Sequence, residues 1–295
     1  MKEFVFEKQY NPIREKTKES VEIINFYNEA TEDYEFWSKD FNMHFGYFNL
    51  FRTNPFKRDE MLNEMNKQVV NRLDLAEKPA ILVDLGCGMG GTIRYALAKN
   101  QYLSALGVTL SEFQVKEGNG LLKSLKGVIL KQDYNKTSFA PDSVDGAIAI
   151  ESFCHSGHTK TAFAEAHRIL KPGGKLVIAD AFLKKGPETL SYSSSVSYKK
   201  LCEHWGLPRL GHLKKVVRDL KKVGFQEVKT EDVSFRVAPS VLHVPFAIIG
   251  FVFKKLRENR ILKRESLHNL KGSFYALLSG LHTRSFGYYL ITCSK

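Results

Sequence analysis

Ile81-Leu82-Val83-Asp84-Leu85-Gly86-Cys87-Gly88-Met89-Gly90-Gly91-Thr92 decides how this chain reads: an apolar run meets an acid, then glycines, then the helical pattern Ile93-Arg94-Tyr95-Ala96-Leu97-Ala98. A short, continuous apolar run bounded by glycine reads as a buried strand of a parallel sheet. The glycines form the turn, because without a Cβ the backbone can take positive φ and a ligand can press against the main chain. The helix that follows leaves its first N–H groups free for a polar ligand. Gly86, Gly88 and Gly91 also satisfy the dinucleotide pattern G-x-G-x-x-G. Asp84 argues against a pyrophosphate, which its carboxylate would repel at close range, and for a ligand carrying positive charge. A tight strand-to-helix turn without a ligand is the plainer alternative.

This stretch resembles motif I of the S-adenosylmethionine-dependent methyltransferases with the Rossmann-like fold. The resemblance implies S-adenosyl-L-methionine as cofactor, with Asp84 helping to hold its amino-acid end and Gly86, Cys87 and Gly88 leaving room for it.

Composition sets the outer bounds. The chain's 295 residues suffice for one large α/β domain with a cap, or for two modest domains, and 43% hydrophobic content makes it globular. A net charge of +12 leaves a polyanion or an anionic membrane surface open as partner. Cys87, Cys154, Cys202 and Cys293 are scattered without C-x-x-C spacing, so neither a zinc site nor a disulfide framework is expected. That usage fits a reducing cytoplasm, and the acidic start Met1-Lys2-Glu3-Phe4-Val5-Phe6-Glu7 does not read as an export signal. The apolar stretch 241–253 falls short of the roughly 20 residues a bilayer requires and contains His243 and Pro245, so it reads as buried or interfacial.

Ahead of motif I, apolar spacing predicts a helix from Ser20, followed by a crowd of aromatics from Phe36 to Phe48. The bland reading is a helix stapled to the core. The pattern F-Y-N-x-A-T-x-D-Y-E-F-W, then M-H-F-G-Y-F, is similar to the N-terminal segment of the γ-tocopherol, sterol side-chain and glycine/sarcosine-type methyltransferases. There the segment folds over the cofactor and lines the substrate cavity, which makes Tyr27, Tyr34 and His44 candidate active-site residues, with Tyr47 beside them. Residues 56–78 read as a helix with Met61, Leu62, Met65 and Val69 on its apolar face.

After motif I, a strand with its following turn is expected at 103–111, and further strands at 127–132, 146–150 and 175–180. The second strand ends in Thr109 where many Rossmann-like proteins place a ribose-holding acid. G-V-T-L-S-x-x-Q resembles the same methyltransferase branch and the cyclopropane fatty acid synthases, which assigns cofactor contacts to Thr109, Leu110 and Gln114. Asp133 at the third strand tip suits an adenine amine, with Tyr134 over the ring; a turn cap is the alternative. The fourth tip carries Glu151-Ser152-Phe153-Cys154-His155, where Glu151 and His155 lie nearest the methyl acceptor because strand C-terminal tips face the ligand crevice. This tip resembles the E-x-x-C-H of sterol methyltransferases; an ion pair for Glu151 and a helix-terminal hydrogen bond for His155 are the plainer readings. R-I-L-K-P-G-G-K-L-V-I-A-D, residues 168–180, resembles the helix-to-fifth-strand motif of these enzymes.

The expected fold is α/β, a doubly wound Rossmann-like sheet of seven strands with the last antiparallel, plus an N-terminal helical segment and an inserted helical cap. Three parts follow: 1–78 over the cofactor and substrate site, 79–182 as the cofactor-binding core, and 183–295 completing the sheet with a lid at 183–211 and a cap at 239–282. A sixth strand is expected at 224–237 and a last, central strand at 285–293. The resemblance implies a methyltransferase, and the aromatic lining points to C-methylation of a lipophilic isoprenoid, sterol-like or quinol acceptor. An N-methyltransferase of a small amine is the alternative. The basic, apolar stretch 241–257 either rests on an anionic membrane, as a peripheral cytoplasmic protein would, or packs within the cap. Without an N-P-P-Y motif or a recognisable RNA-binding module, no nucleic-acid partner is expected. No metal is expected, and the oligomeric state stays open.

Overall fold

Seven strands form one sheet in the order β3-β2-β1-β4-β5-β7-β6. The computed structural model describes residues 38–75, 78–257 and 264–295. The strands are β1 (Ala80–Leu85), β2 (Leu103–Thr109), β3 (Gly127–Lys131), β4 (Val144–Ile150), β5 (Leu170–Leu183), β6 (Gln226–Asp232) and β7 (Phe286–Ser294). Strands β1 to β5 pair in parallel, and β7 runs antiparallel between β5 and β6. The expected sheet, with its antiparallel last strand in a central position, is the one the chain adopts.

The central strands are apolar at successive residues because both faces are covered. Leu82, Ile148, Val177 and Leu290 join the core on one face, while Val83, Ala147, Ile178 and Ile291 join that on the other. Helix α1 (Arg58–Arg72) lays Met61, Leu62, Met65 and Val69 onto the first face, all fully buried. Its apolar spacing continues to Leu75, but the helix stops early because Asp74 takes a left-handed φ of 53°. Helices α2 (Gly91–Lys99), α3 (Glu112–Leu121), α4 (Lys160–Ile169) and α6 (Leu213–Val223) complete the two layers. The K-P-G-G turn sits inside β5: pairing with β4 jumps from Val144↔Leu170 to Gly146↔Lys175, so residues 171–174 loop out.

Two expectations change. The sixth strand was expected to run to residue 237, yet it ends at Asp232, whose Oδ1 accepts the Ser234 N–H at 3.0 Å. That Asx turn leads into helix α7 (Ser234–Val241), which turns Val237 and Ser240 inward. The apolar run is also longer than the 13 residues of 241–253: residues Ser234–Arg257 make a helical stretch of 24, long and apolar enough to cross a membrane by length and composition alone. It is bent by a turn at residues 242–243, which separates α7 from α8 (Val244–Arg257). Between 183 and 211 the chain forms helix α5 (Tyr192–Trp205), capped where Ser191 Oγ accepts the Ser194 N–H. Helix α9 (Arg264–Leu281) packs against α5 and also touches α7 and α8, so lid and cap form one helical layer over the C-terminal strand tips.

Candidate active site

One cavity of about 880 Å³ runs from the glycine turn after β1, past the tips of β2, β3, β4 and β5, to the inner faces of α7, α8 and α9. Asp84, Gly86, Cys87, Gly88, Thr109, Leu110, Gln114, Asp133, Tyr134, Glu151, His155 and His44 all line it. Tyr27 and Tyr34 lie outside the described residues.

At the turn, Gly86 takes φ +108° and Gly88 φ +53°; a Cβ on Gly86 would stand 2.4 Å from Ser152 Cβ, and one on Gly88 2.8 Å from Met43 Sδ. The missing side chains thus let β4's tip close on the turn from one side and the strap of residues 41–45 cover it from the other. Asp84 is 3% exposed, its Oδ1 has no hydrogen-bond partner, and burial pushes its carboxyl up to about 7. A buried carboxylate oxygen left unpaired costs free energy, so this position fits a ligand that brings a cation or an N–H donor.

The strap is clamped by side chains. His44 Nε2 lies 2.9 Å from Asn66 Oδ1, which also accepts from the Thr92 hydroxyl at 2.8 Å, while Asn66 Nδ2 donates to Asn42 Oδ1 at 3.0 Å. His44 Nδ1 faces the Phe45 carbonyl at 2.9 Å. Burial outweighs these two acceptors and lowers its pKa, keeping the ring neutral. His44 is thereby tied into the clamp that holds the strap.

Thr109 donates its hydroxyl to Gln114 Oε1 at 2.6 Å, so the two polar candidates after β2 are paired with each other, and Gln114 Nε2 points at Met43 Sδ. Asp133 takes up the plainer alternative, a turn cap at the cavity's edge: its Oδ1 accepts from Asn135 N–H and Nδ2, both at 2.8 Å. Tyr134 donates to the Ser152 carbonyl at 2.9 Å and rests on Phe153, 5.3 Å between ring centroids. Cys87 and Cys154 are buried thiols pushed well above their ordinary pKa by desolvation, which leaves them un-ionised.

Glu151 sits at the tip of β4 in left-handed backbone, φ 47°, a conformation that costs a non-glycine residue free energy. Its Oε1 accepts the Phe45 N–H at 2.7 Å and the Tyr288 hydroxyl at 2.8 Å. Burial still wins over these two donors and raises its carboxyl to about 8. His155 beside it is lowered to about 4 by burial, so its imidazole is neutral. Phe45 and Trp205 stand 6.5 Å apart by centroid, and with Phe251, Phe286 and Tyr288 they make the wall facing Glu151's end of the cavity aromatic. No Lys or Arg is found among the described lining residues.

Tyr288 went unrecognised in the sequence. Because β7 is antiparallel to β5, pairing Ala181↔Tyr288, its first residues lie beside the last residues of the parallel strands. An antiparallel strand enters the sheet at the ligand edge, and that rule would have found this tyrosine.

With the site in view, the comparisons are informative. Residues 83–178 match the family described as "Methyltransferase domain". That stretch, about a third of the chain, is similar to a methyltransferase domain and holds the glycine turn and the strands that lead to the cavity. It is similar to sterol methyltransferase-like 1 of Botryococcus braunii, 29% identical over 71% of this chain and 53% of the relative. It is also similar to 24-methylenesterol C-methyltransferase 2 of Arabidopsis thaliana, 27% identical over 72% and 58%. The chain thus spans a little over half the length of these curated relatives. Among solved structures, a cyclopropane synthase of Mycobacterium tuberculosis shares the fold with a TM-score of 0.77 at 17% identity, covering 93% of this chain and 98% of that one.

Proposed function

We propose that the chain is an S-adenosylmethionine-dependent C-methyltransferase of a lipophilic small molecule: an isoprenoid, sterol-like or quinol acceptor. The observation that carries the reading is Glu151, a carboxyl held by Phe45 N–H and Tyr288 at the tip of β4, facing an aromatic wall in the cavity that begins at the glycine turn. The relatives named for sterol C-methylation agree with it.

The cofactor supplies an electrophilic methyl group on a sulfonium. Asp84 would meet its cationic amino-acid end, Gly86 and Gly88 leave it the surface of the turn, and Asp133 and Tyr134 would border its adenine. The wall of Phe45, Trp205 and Tyr288 orients the acceptor so that its carbon lies in line with the methyl. A methyl group so presented would be open to the π electrons of an acceptor double bond, its sulfur leaving as a neutral thioether. Aromatic faces stabilise the carbocation left on the acceptor. Glu151 Oε1 or Oε2 takes the proton from the neighbouring carbon, and that C–H pair restores a double bond. Positive charge in the cavity lowers the Glu151 pKa from its resting value, so the base is ionised when it is needed. Four carboxylates and no described Lys or Arg on the lining disfavour a phosphorylated acceptor.

The same reading divides the chain at 78 and 182, with the strap and cap serving the acceptor and the 79–182 core serving the cofactor. A lipid-soluble acceptor suits a peripheral position at the cytoplasmic face of an anionic membrane. The test is transfer of labelled methyl into a cell extract, followed by partition between organic solvent and water. Label in the organic phase supports the reading; label confined to water-soluble amines overturns it in favour of N-methylation.

A further inference from the structure

Eight of the large apolar side chains left in solvent gather in one region. Phe51 is 91% exposed, Phe56 87%, Phe246 74% and Phe253 67%, with Leu50, Leu242, Ile249 and Leu256 exposed beside them. They lie in two segments, the loop 49–57 and α8 with the turn before it. The segments are joined: Phe48 N–H donates to the Arg236 carbonyl at 2.7 Å, and His243 Nε2 meets the Pro55 carbonyl at 2.6 Å.

On α8 the exposed positions 246, 249, 253 and 256 follow helical spacing, while Val244 and Phe251 on the other side are buried. The loop is a built turn: Asn49 Oδ1 accepts the Phe51 N–H at 3.1 Å, and Thr53 Oγ1 accepts the Asn49 N–H at 2.8 Å and donates to the Asn49 carbonyl at 3.0 Å. Those bonds hold Leu50 and Phe51 outward. An apolar patch of this size on a folded surface marks an interaction site.

Charge names the occupant. Residues 49–58 hold Arg52, Lys57 and Arg58 and no acid; residues 234–257 hold Arg236, Lys254, Lys255 and Arg257 and no acid. A helix with apolar side chains on one face and basic residues at its end fits the boundary between acyl chains and anionic headgroups. The inner side of this same layer, through Val241, Val244, Ile248 and Phe251, lines the cavity.

We infer that loop 49–57 and the outer face of α8 form a single docking surface for an anionic phospholipid bilayer, with the cavity behind it. The inference rests on the proposed lipophilic acceptor and adds a second element, the Phe51–Phe56 loop, and its geometry.

Sedimentation with vesicles tests it, using phosphatidylcholine alone and phosphatidylcholine with one-third phosphatidylglycerol. The full chain is expected to pellet with the anionic vesicles and to be released by salt. The double variants F51S/F56S and F246S/F253S are each expected to lower vesicle affinity at least about tenfold, and K254E/R257E to lower it for anionic vesicles alone, with melting temperatures unchanged. Failure to pellet with either vesicle overturns the inference, as does full binding by F51S/F56S. So does a concentration-dependent dimer, abolished by F246S/F253S, that binds no vesicle. Methyl transfer to an acceptor in detergent micelles separates the two readings: it survives when only docking fails, and it is absent despite vesicle binding when only the proposed chemistry fails.

Discussion

Three acids stand at neighbouring strand tips, and the molecule treats them in two ways. Asp180, three residues before the end of β5 and level with the tip of β4, is saturated: its Oδ2 accepts the Cys154 N–H at 3.0 Å, its Oδ1 accepts the Ala181 N–H at 2.8 Å, and His158 Nε2 lies 3.1 Å from Oδ2. His158 is fixed in turn, since its Nδ1 accepts the Gly211 N–H at 3.1 Å. Asp84, in β1, keeps an oxygen with no hydrogen-bond partner, Glu151, just past β4, takes both its donors on Oε1, and burial drives both carboxyls upward. The lesson is that a saturated carboxylate holds the fold together, whereas one kept short of partners at a cavity wall waits for a cation. All three look alike in sequence, each an acid ending an apolar run.

The sharpest way to break that contrast is E151Q. If Glu151 takes the proton, kcat falls by about 10²- to 10⁴-fold while cofactor affinity, measured by calorimetry, stays within a few-fold. In the wild-type enzyme kcat/KM should rise with pH through about 8, and E151Q should lose that limb. A flat wild-type profile would move Glu151 into the structural group.

D84N comes next. Removing a charge-assisted contact should weaken cofactor binding by about ten- to a hundredfold. Stability should move the other way. The folded pKa is raised to about 7 from 3.8, so the protonated acid's contribution is present below pH 3.8 and is lost as pH climbs through 7. Ligand-free D84N should therefore be more stable than wild type at pH 8, by roughly 2 to 4 kcal/mol, and gain nothing at pH 3.5, as read by denaturant unfolding.

D180N is expected to invert this pattern, losing about 1 to 3 kcal/mol of stability at pH 7 with cofactor affinity changed far less than in D84N. The smallest effect belongs to Y288F. Its hydroxyl bond lowers the Glu151 pKa, so its loss should shift the rising limb of kcat/KM upward by up to about one pH unit. It should cost about 1 kcal/mol of stability.

The sheet and the glycine-turn end of the cavity were legible because each depends on a short local pattern. Residues 81–92 carry strand, turn and helix start in twelve positions, and the K-P-G-G loop marks β5 by its glycines. What was not legible depends on distant segments meeting. Nothing near Glu151 announces Tyr288, 137 residues on, or says that Phe45 will spend its N–H on that carboxylate. The end of β6 was not legible because Val233 and Val237 are apolar as a strand would be, while the Asp232 turn that precedes the helix is a single local hydrogen bond. Loop 49–57 drew no attention because isolated aromatics in a loop have no periodicity; only its contact with α7 and the turn before α8 gives them a shared direction.

The distribution of charge has a further consequence for turnover. A protein of net charge +12 lines the cavity with four acids and, among the described residues, no Lys or Arg. Methyl transfer converts a sulfonium into an uncharged thioether. The spent cofactor has therefore lost one positive charge that the acidic interior was stabilising, while the nearby carboxyls, raised in pKa, are ready to take up protons as it leaves. On the proposed chemistry, the change of charge would itself favour product departure, and fresh and spent cofactor would be told apart by electrostatics.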